Sequence, residues 1–173
     1  MPEAAGWANE QNGVVTEQVG GLRVGLAGRE EAEAVKSLVV AGLTERWQTY
    51  DPTLNPDLDR LDEALAVVIA VDGERVVGSG RLDWVDTETV EVRRMATATD
   101  RRNEGIARLV LDELCGQARA AGAARVVSET EAAWTEAVAL YRSYGFTETG
   151  REQGRFGIAA HFALDLKLES EAK

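Results

Sequence analysis

The chain has 173 residues, 45% of them hydrophobic, with 30 acidic against 19 basic side chains and a formal net charge of −11. That length fits one domain and that apolar fraction supports a core, which excludes a globally disordered chain. The acidic balance excludes a general nucleic-acid binder, which needs a basic face to displace counterions, and favours the approach of cationic ligands such as amines.

Residues 1–19 carry glycine, asparagine and glutamine without periodicity and read as a flexible N-terminal tail, followed by one domain over 20–173. The opening "MPEAAGWANEQNG" lacks a basic patch followed by an apolar run, so no signal peptide is expected. No stretch approaches the roughly 20 apolar residues of a membrane span. The single cysteine, Cys115, allows no internal disulfide and suits a reducing compartment. A soluble cytoplasmic protein is the expectation.

"GLRVGLA" (21–27) is a short strand candidate. A helix follows, with Val35, Leu38, Val39, Gly42 and Leu43 on one face and acidic Glu30, Glu31 and Glu33 at its start. "QTYDPTLN" is a loop. Asn55-Pro56-Asp57 then reads as the start of a second helix with Leu58, Leu61 and Leu65 as its apolar stripe. Three strands come next. "ALAVVIAVDGE" closes on the turn Asp72-Gly73, "RVVGSGRLDWVD" resumes, and "ETVEVRRMATA" alternates Val90, Val92 and Arg94 against Glu91, Arg93 and Met95. Two successive hairpins imply an antiparallel meander.

The next helix carries Ile106, Leu109, Val110, Leu114 and Ala118 on one stripe and ends near Gly122. Cys115 lies within it and reads as a small buried apolar group. "ARVVSET" is a strand placed as in a crossover unit. Trp134, Ala137, Val138, Tyr141 and Tyr144 mark a last helix stopped by Gly145, and "FTETGRE" and "GIAAHFALDLKL" supply two terminal strands. The sum is an α/β (α+β) domain, a mixed central sheet of about seven strands with about four flanking helices.

"RRNEGIA" (101–107) sets arginines and a glycine against the start of the third helix. From Arg93 to Arg108 five arginines stand against Asp100 and Glu104, a local reversal of sign in an acidic chain. Helix N-termini offer unpaired N–H groups and a partial positive charge, and Gly105 lets the backbone approach an anion closely. The stretch therefore reads either as a phosphate cradle or as an ordinary helix start with solvated arginines. No G-x-x-x-x-G-K-[ST] or G-x-G-x-x-G is present, so a triphosphate or dinucleotide loop has no support.

"RRNEGIA" resembles the R/Q-x-x-G-x-G/A signature of the GNAT superfamily of acyl-CoA-dependent N-acyltransferases. "ALYRSYGF" (139–146) is similar to its L-Y-x-x-x-G-F element, and "VEVRRMATATD" to the strand before its phosphate loop. The likeness spans about 21–168, and the element order above is the family's. It implies the GNAT fold, acetyl-CoA (coenzyme A) as cofactor, and Arg102, Asn103, Glu104, Gly105, Ile106, Ala107 and Arg108 around its diphosphate. It also implies Met95, Ala96 and Thr97 along its pantetheine arm, Glu91 as candidate general base, and Tyr141 as the acid that protonates the leaving thiolate. Trp134 stands where many relatives carry asparagine. Trp47, Tyr50, Trp84 and Glu129 are candidates for the acceptor pocket, and aromatic rings there suit an amine through cation–π contact. Relatives often dimerise, so a homodimer is among the states implied. No metal site is expected.

Other readings of single residues stay open at this point. Glu91 equally reads as a surface carboxylate paired with an arginine, Tyr141 as a core aromatic, and the only histidine, His161, as packing or surface. The expected activity is an acetyl-CoA-dependent N-acetyltransferase acting on a primary amine of a small molecule or peptide. The alternative is a non-catalytic acyl-CoA-binding sensor or interaction domain of the same fold; a third option is transfer to a hydroxyl or a protein N-terminus.

Overall fold

The computed structural model describes Trp7 and residues 17–166. The expected tail therefore falls outside the described residues, except for Trp7 and for 17–19, which form a short strand. Eight strands make one sheet: β1 (Glu17–Val19), β2 (Leu22–Leu26), β3 (Ala66–Asp72), β4 (Arg75–Trp84), β5 (Thr89–Thr97), β6 (Arg125–Glu131), β7 (Thr147–Gln153) and β8 (Ile158–Asp165). Their spatial order is β1-β2-β3-β4-β5-β6-β8-β7. Every pairing is antiparallel except that of β5 with β6. The parallel pair is joined by a helical crossover, as parallel neighbours require.

Among the described residues three α-helices flank the sheet: α1 (Ala32–Trp47), α2 (Ile106–Ala120) and α3 (Thr135–Tyr144). On one face α1 buries Val35 with Val67, Ile69 and Val71 of β3. On the other, α2 and α3 bury Ile106, Val110, Leu114 and Tyr141 against Val68, Leu82, Val92 and Phe162. Gly122 and Gly145, at φ +83° and +122°, end α2 and α3 where the sequence places their stops. β4 approaches α2 through glycines. A Cβ at Gly80 would meet Leu114 at 2.6 Å and Met95 at 2.7 Å.

The expected second helix is instead two 3₁₀ turns, Pro56–Asp59 and Leu61–Glu63, and a third, Pro52–Leu54, lies in the stretch read as a loop. The leucine spacing is met, since Leu58 and Leu61 are buried, but the hydrogen bonding is not helical. The backbone closes i→i+3 bonds, Arg60 N–H to the Asp57 carbonyl and Glu63 N–H to the Arg60 carbonyl, both at 3.1 Å, and the Arg81 guanidinium donates to those same carbonyls at 2.7 Å and 3.2 Å. Asn55 does not cap; its side-chain amide donates to the Asp51 carbonyl at 2.8 Å.

Strand β5 also departs from strict alternation. Arg94 sits at φ +57° in a bulge, opposite the register shift between Ser79 and Arg81. A left-handed conformation costs a residue with a β-carbon roughly 1–2 kcal/mol. Alternation would send the Arg94 guanidinium toward the apolar face that holds Val90 and Val92, which costs more. The bulge instead puts Arg93 and Arg94 on the α1 face and returns Met95 to the α2 face.

Candidate functional site

β5 and β6 pair only from Thr89↔Arg125 to Val92↔Ser128. β5 then runs on to Thr97 alongside β4, and β6 to Glu131 alongside β8, with no pairing between them. Two parallel neighbours that part in this way leave a notch in the middle of the sheet. Its β5 wall is an edge with main-chain donors and acceptors to offer. The Ala98 N–H bonds the Val77 carbonyl at 2.9 Å. Alternation back from that bond turns the main chain of Ala96 to β4, and those of Thr97 and Met95 to the notch.

The loop after β5 leads into α2. Asn103 at φ +64° and Gly105 at φ +82° are both left-handed, and such alternation gathers successive N–H groups on one side. The first intrahelical bond is Leu109 N–H to the Gly105 carbonyl, so the N–H groups of Ile106 to Arg108 have no helical acceptor. No atom lies within 4 Å of where a Gly105 Cβ would stand. The loop is therefore an open cradle of donors at the positive end of a 15-residue helix. A diphosphate fits it.

Arg101 and Arg102 of the loop are paired with carboxylates. Arg102 forks Glu45 of α1 at 2.7 Å through both nitrogens, and Arg101 joins Asp72 at 2.6 Å and Glu104 at 2.9 Å. Arg108 reaches Ser143 at 3.3 Å and lies over the Tyr144 ring. What the cradle offers an anion is main chain, with Arg108 in no ion pair among the described residues.

Tyr141 and Glu91 meet the notch apex from opposite faces of the sheet. Tyr141 is 4% exposed, stacked on Phe162 and edge-on to Phe146. Burial pushes its phenol up to about 12, opposed by a hydrogen bond with Ser128. The Val92 carbonyl, 3.3 Å away at the last paired rung before the strands part, is the other acceptor within reach of the single Ser128 hydroxyl hydrogen. Glu91 lies one residue earlier on the α1 face, with Arg93 Nε at 3.2 Å. Burial raises its pKa, Glu129 and Asp83 add to the rise, and Arg93 and His161 oppose it. Glu91 is thus an ion-pair partner of Arg93 whose burial favours its protonated form.

Glu129 joins Glu91 on that face, in a depression of about 260 Å³ lined also by Val127, Thr149, His161 and Ala163. His161 Nε2 is 2.8 Å from Glu152, and its Nδ1 is 3.8 Å from Glu129. Trp84 does not join them. It packs on the opposite face with the core that α2 covers, so its place in an acceptor pocket is corrected. Trp47 closes α1 and rests its ring on Trp134 at 5.4 Å and on Phe156, between β7 and β8, at 4.7 Å. Arg46 lies 4.0 Å over Trp134. This aromatic group ties the β5 side of the notch, through α1, to the β6 side. Tyr50, three residues past Trp47, is half-buried. Sequence reasoning missed Phe156, Ser128 and Glu45 around these residues.

The pattern of the acetyltransferase (GNAT) family matches residues 32–146. An uncharacterised N-acetyltransferase of Bacillus subtilis (strain 168), YsnE, is 33% identical over 79 residues, which are 44% of this chain and 52% of that protein. The match thus spans about half the length of that relative. Among solved structures, an acetyltransferase from Streptococcus agalactiae 2603 superposes with a TM-score of 0.73 at 16% identity, over 86% of this chain and 100% of that one. The protein yncA from Salmonella typhimurium, solved with its cofactor acetyl-CoA, gives 0.70 at 18% identity, over 84% of this chain and 94% of that one. At these identities the structural likeness concerns the fold.

Proposed function

This chain belongs to the acetyltransferase (GNAT) family, and on that premise we propose that it is an acetyl-CoA-dependent N-acetyltransferase acting on a primary amine of a small molecule or peptide. The observation that carries the reading is the notch where β5 and β6 part, with the Gly105 cradle beyond it and Tyr141 and Glu91 at its apex on opposite faces.

Bound there, acetyl-CoA supplies an acyl group activated as a thioester. The N–H groups from Asn103 to Arg108 hold the diphosphate. The open edge of β5, through Met95 and Thr97, holds the pantetheine arm as an added strand would be held. A main-chain N–H of that edge stabilises the negative charge that grows on the carbonyl oxygen. Glu91 takes a proton from the attacking amine, which needs its lone pair free. Tyr141, kept protonated by burial, returns a proton to the departing sulfur. The amine nitrogen ends acylated and the sulfur ends as a thiol. Glu129, which pairs with no arginine among the described residues, favours a cationic acceptor on the α1 face.

The second reading, an acyl-CoA sensor, is favoured by Trp134, which sits under Arg46 and against Trp47 at the acceptor end. Calorimetry with acetyl-CoA, followed by thiol release across a panel of amines, separates the two. Saturable binding with amine-dependent release supports the enzyme, binding without release supports the sensor, and no binding at sub-millimolar acetyl-CoA overturns both.

A further inference from the structure

Asp57 lies in the Pro56–Asp59 turn, and its residue exposure is 9%. Its carboxylate takes both Arg94 Nε at 2.9 Å and an Arg94 terminal nitrogen at 2.7 Å, a planar fork. Arg81, itself 5% exposed, donates to the Asp57 carbonyl at 2.7 Å and holds the turn in place. The partner so captured is the left-handed residue of β5.

The bulge decides which amides face the notch. The Val85 N–H bonds the Thr89 carbonyl at 2.9 Å, so alternation gives Thr89, Glu91 and Arg93 to β4 and Val90 and Val92 to β6. Past Arg94 the parity is reversed: Ala96 and Ala98 turn to β4, and Met95 and Thr97 to the open edge. Without the extra residue, the main chain of Ala96 and Ala98 would face the notch instead.

We propose that Asp57 is a positioning residue for acyl transfer, a latch that holds Arg94 left-handed and so presents Met95 and Thr97 to the bound thioester. The inference rests on the function proposed above, and its test has an arm that does not. Amide exchange read by NMR gives, in the wild type, protected Ala96 and Ala98 beside fast-exchanging Thr97. Asp57→Asn loses the protection at Ala96 and Ala98, weakens acetyl-CoA binding in calorimetry, and lowers kcat on the order of ten- to a hundredfold. Glycine adopts positive φ freely, so Arg94→Gly needs no latch. The double variant Asp57→Asn with Arg94→Gly recovers the wild-type exchange pattern, affinity and kcat. It also serves if Asp57→Asn alone does not fold.

A folded Asp57→Asn protein with unchanged exchange and affinity overturns the inference. So does a folded double variant that stays impaired. A wild type that releases no CoA with any amine overturns the function instead, while the exchange arm still reads the latch.

Discussion

Replacing Gly78 by alanine tests whether close packing under α2 sets the cradle. The new Cβ would stand 2.5 Å from Ile106 Cγ2, 3.3 Å from Val110 Cγ2 and 3.4 Å from Ala70 Cβ. Carbon atoms rest at about 3.5–4.0 Å, so Ile106 has to retreat by about 1 Å. Ile106 is the first residue of α2, and its own N–H belongs to the cradle. Overpacking of this kind costs about 1–3 kcal/mol. At roughly 2–4 °C per kcal/mol for a domain of this size, Tm falls by about 2–12 °C. Loss of one hydrogen bond to a charged group, about 1.5–3 kcal/mol, weakens acetyl-CoA binding roughly ten- to a hundredfold. The control is Gly116→Ala, on the exposed side of α2 with nothing within 4 Å, which should stabilise by about 0.4–1 kcal/mol and leave binding alone. Melting curves and calorimetry with acetyl-CoA give both quantities. If Gly78→Ala melts with the wild type and binds equally well, the helix is not seated by that contact and the reasoning fails.

Tyr141→Phe removes one proton donor and no packing, so kcat falls by about 10²–10⁴ while acetyl-CoA affinity stays the same; unchanged turnover removes Tyr141 from the chemistry. Glu91→Gln lowers turnover yet raises Tm at pH 7. Burial lifts the Glu91 pKa, so the folded state disfavours its ionised form; that cost is present in full above the folded pKa and fades as pH falls through it. The Tm gap to the wild type should therefore close toward pH 4, and a gap that is constant with pH contradicts the assignment. Phe156→Ala opens the aromatic group at its 54% exposed member, and changes KM for the amine without changing affinity for acetyl-CoA. An unaltered KM for every amine accepted by the wild type takes Phe156 out of the acceptor site.

Features written in local spacing were legible in the sequence. The stripe of α2, the glycines that stop α2 and α3, and the order of strands all stand, as does Gly105 at a position that needs positive φ. What failed depended on partners distant in the chain. The leucines near Asn55 have helical spacing, but Arg81 from β4 takes the carbonyls a helix would use. Arg94 continues the alternation of Val90 and Val92 on paper; its guanidinium cannot enter their core, so the strand bulges and Asp57 receives it. The arginines before α2 read as free charge because Glu45 and Asp72 are far off in the chain. Trp84 reads as a pocket aromatic until its parity with Leu82 sets it against the core on the α2 face. Ser128 gave no signal at all, since a serine in a strand becomes informative only when Tyr141 and Val92 are found beside it.

The claim that the cleft between β5 and β6 and the start of α2 together receive acetyl-CoA is tested most directly by backbone amide NMR during titration with that compound. Saturating shifts centred on Asn103 to Arg108 and on Met95 and Thr97, with Ala98 unmoved, are the predicted result. Saturable binding that leaves those amides undisturbed while shifting another part of the sheet contradicts the account.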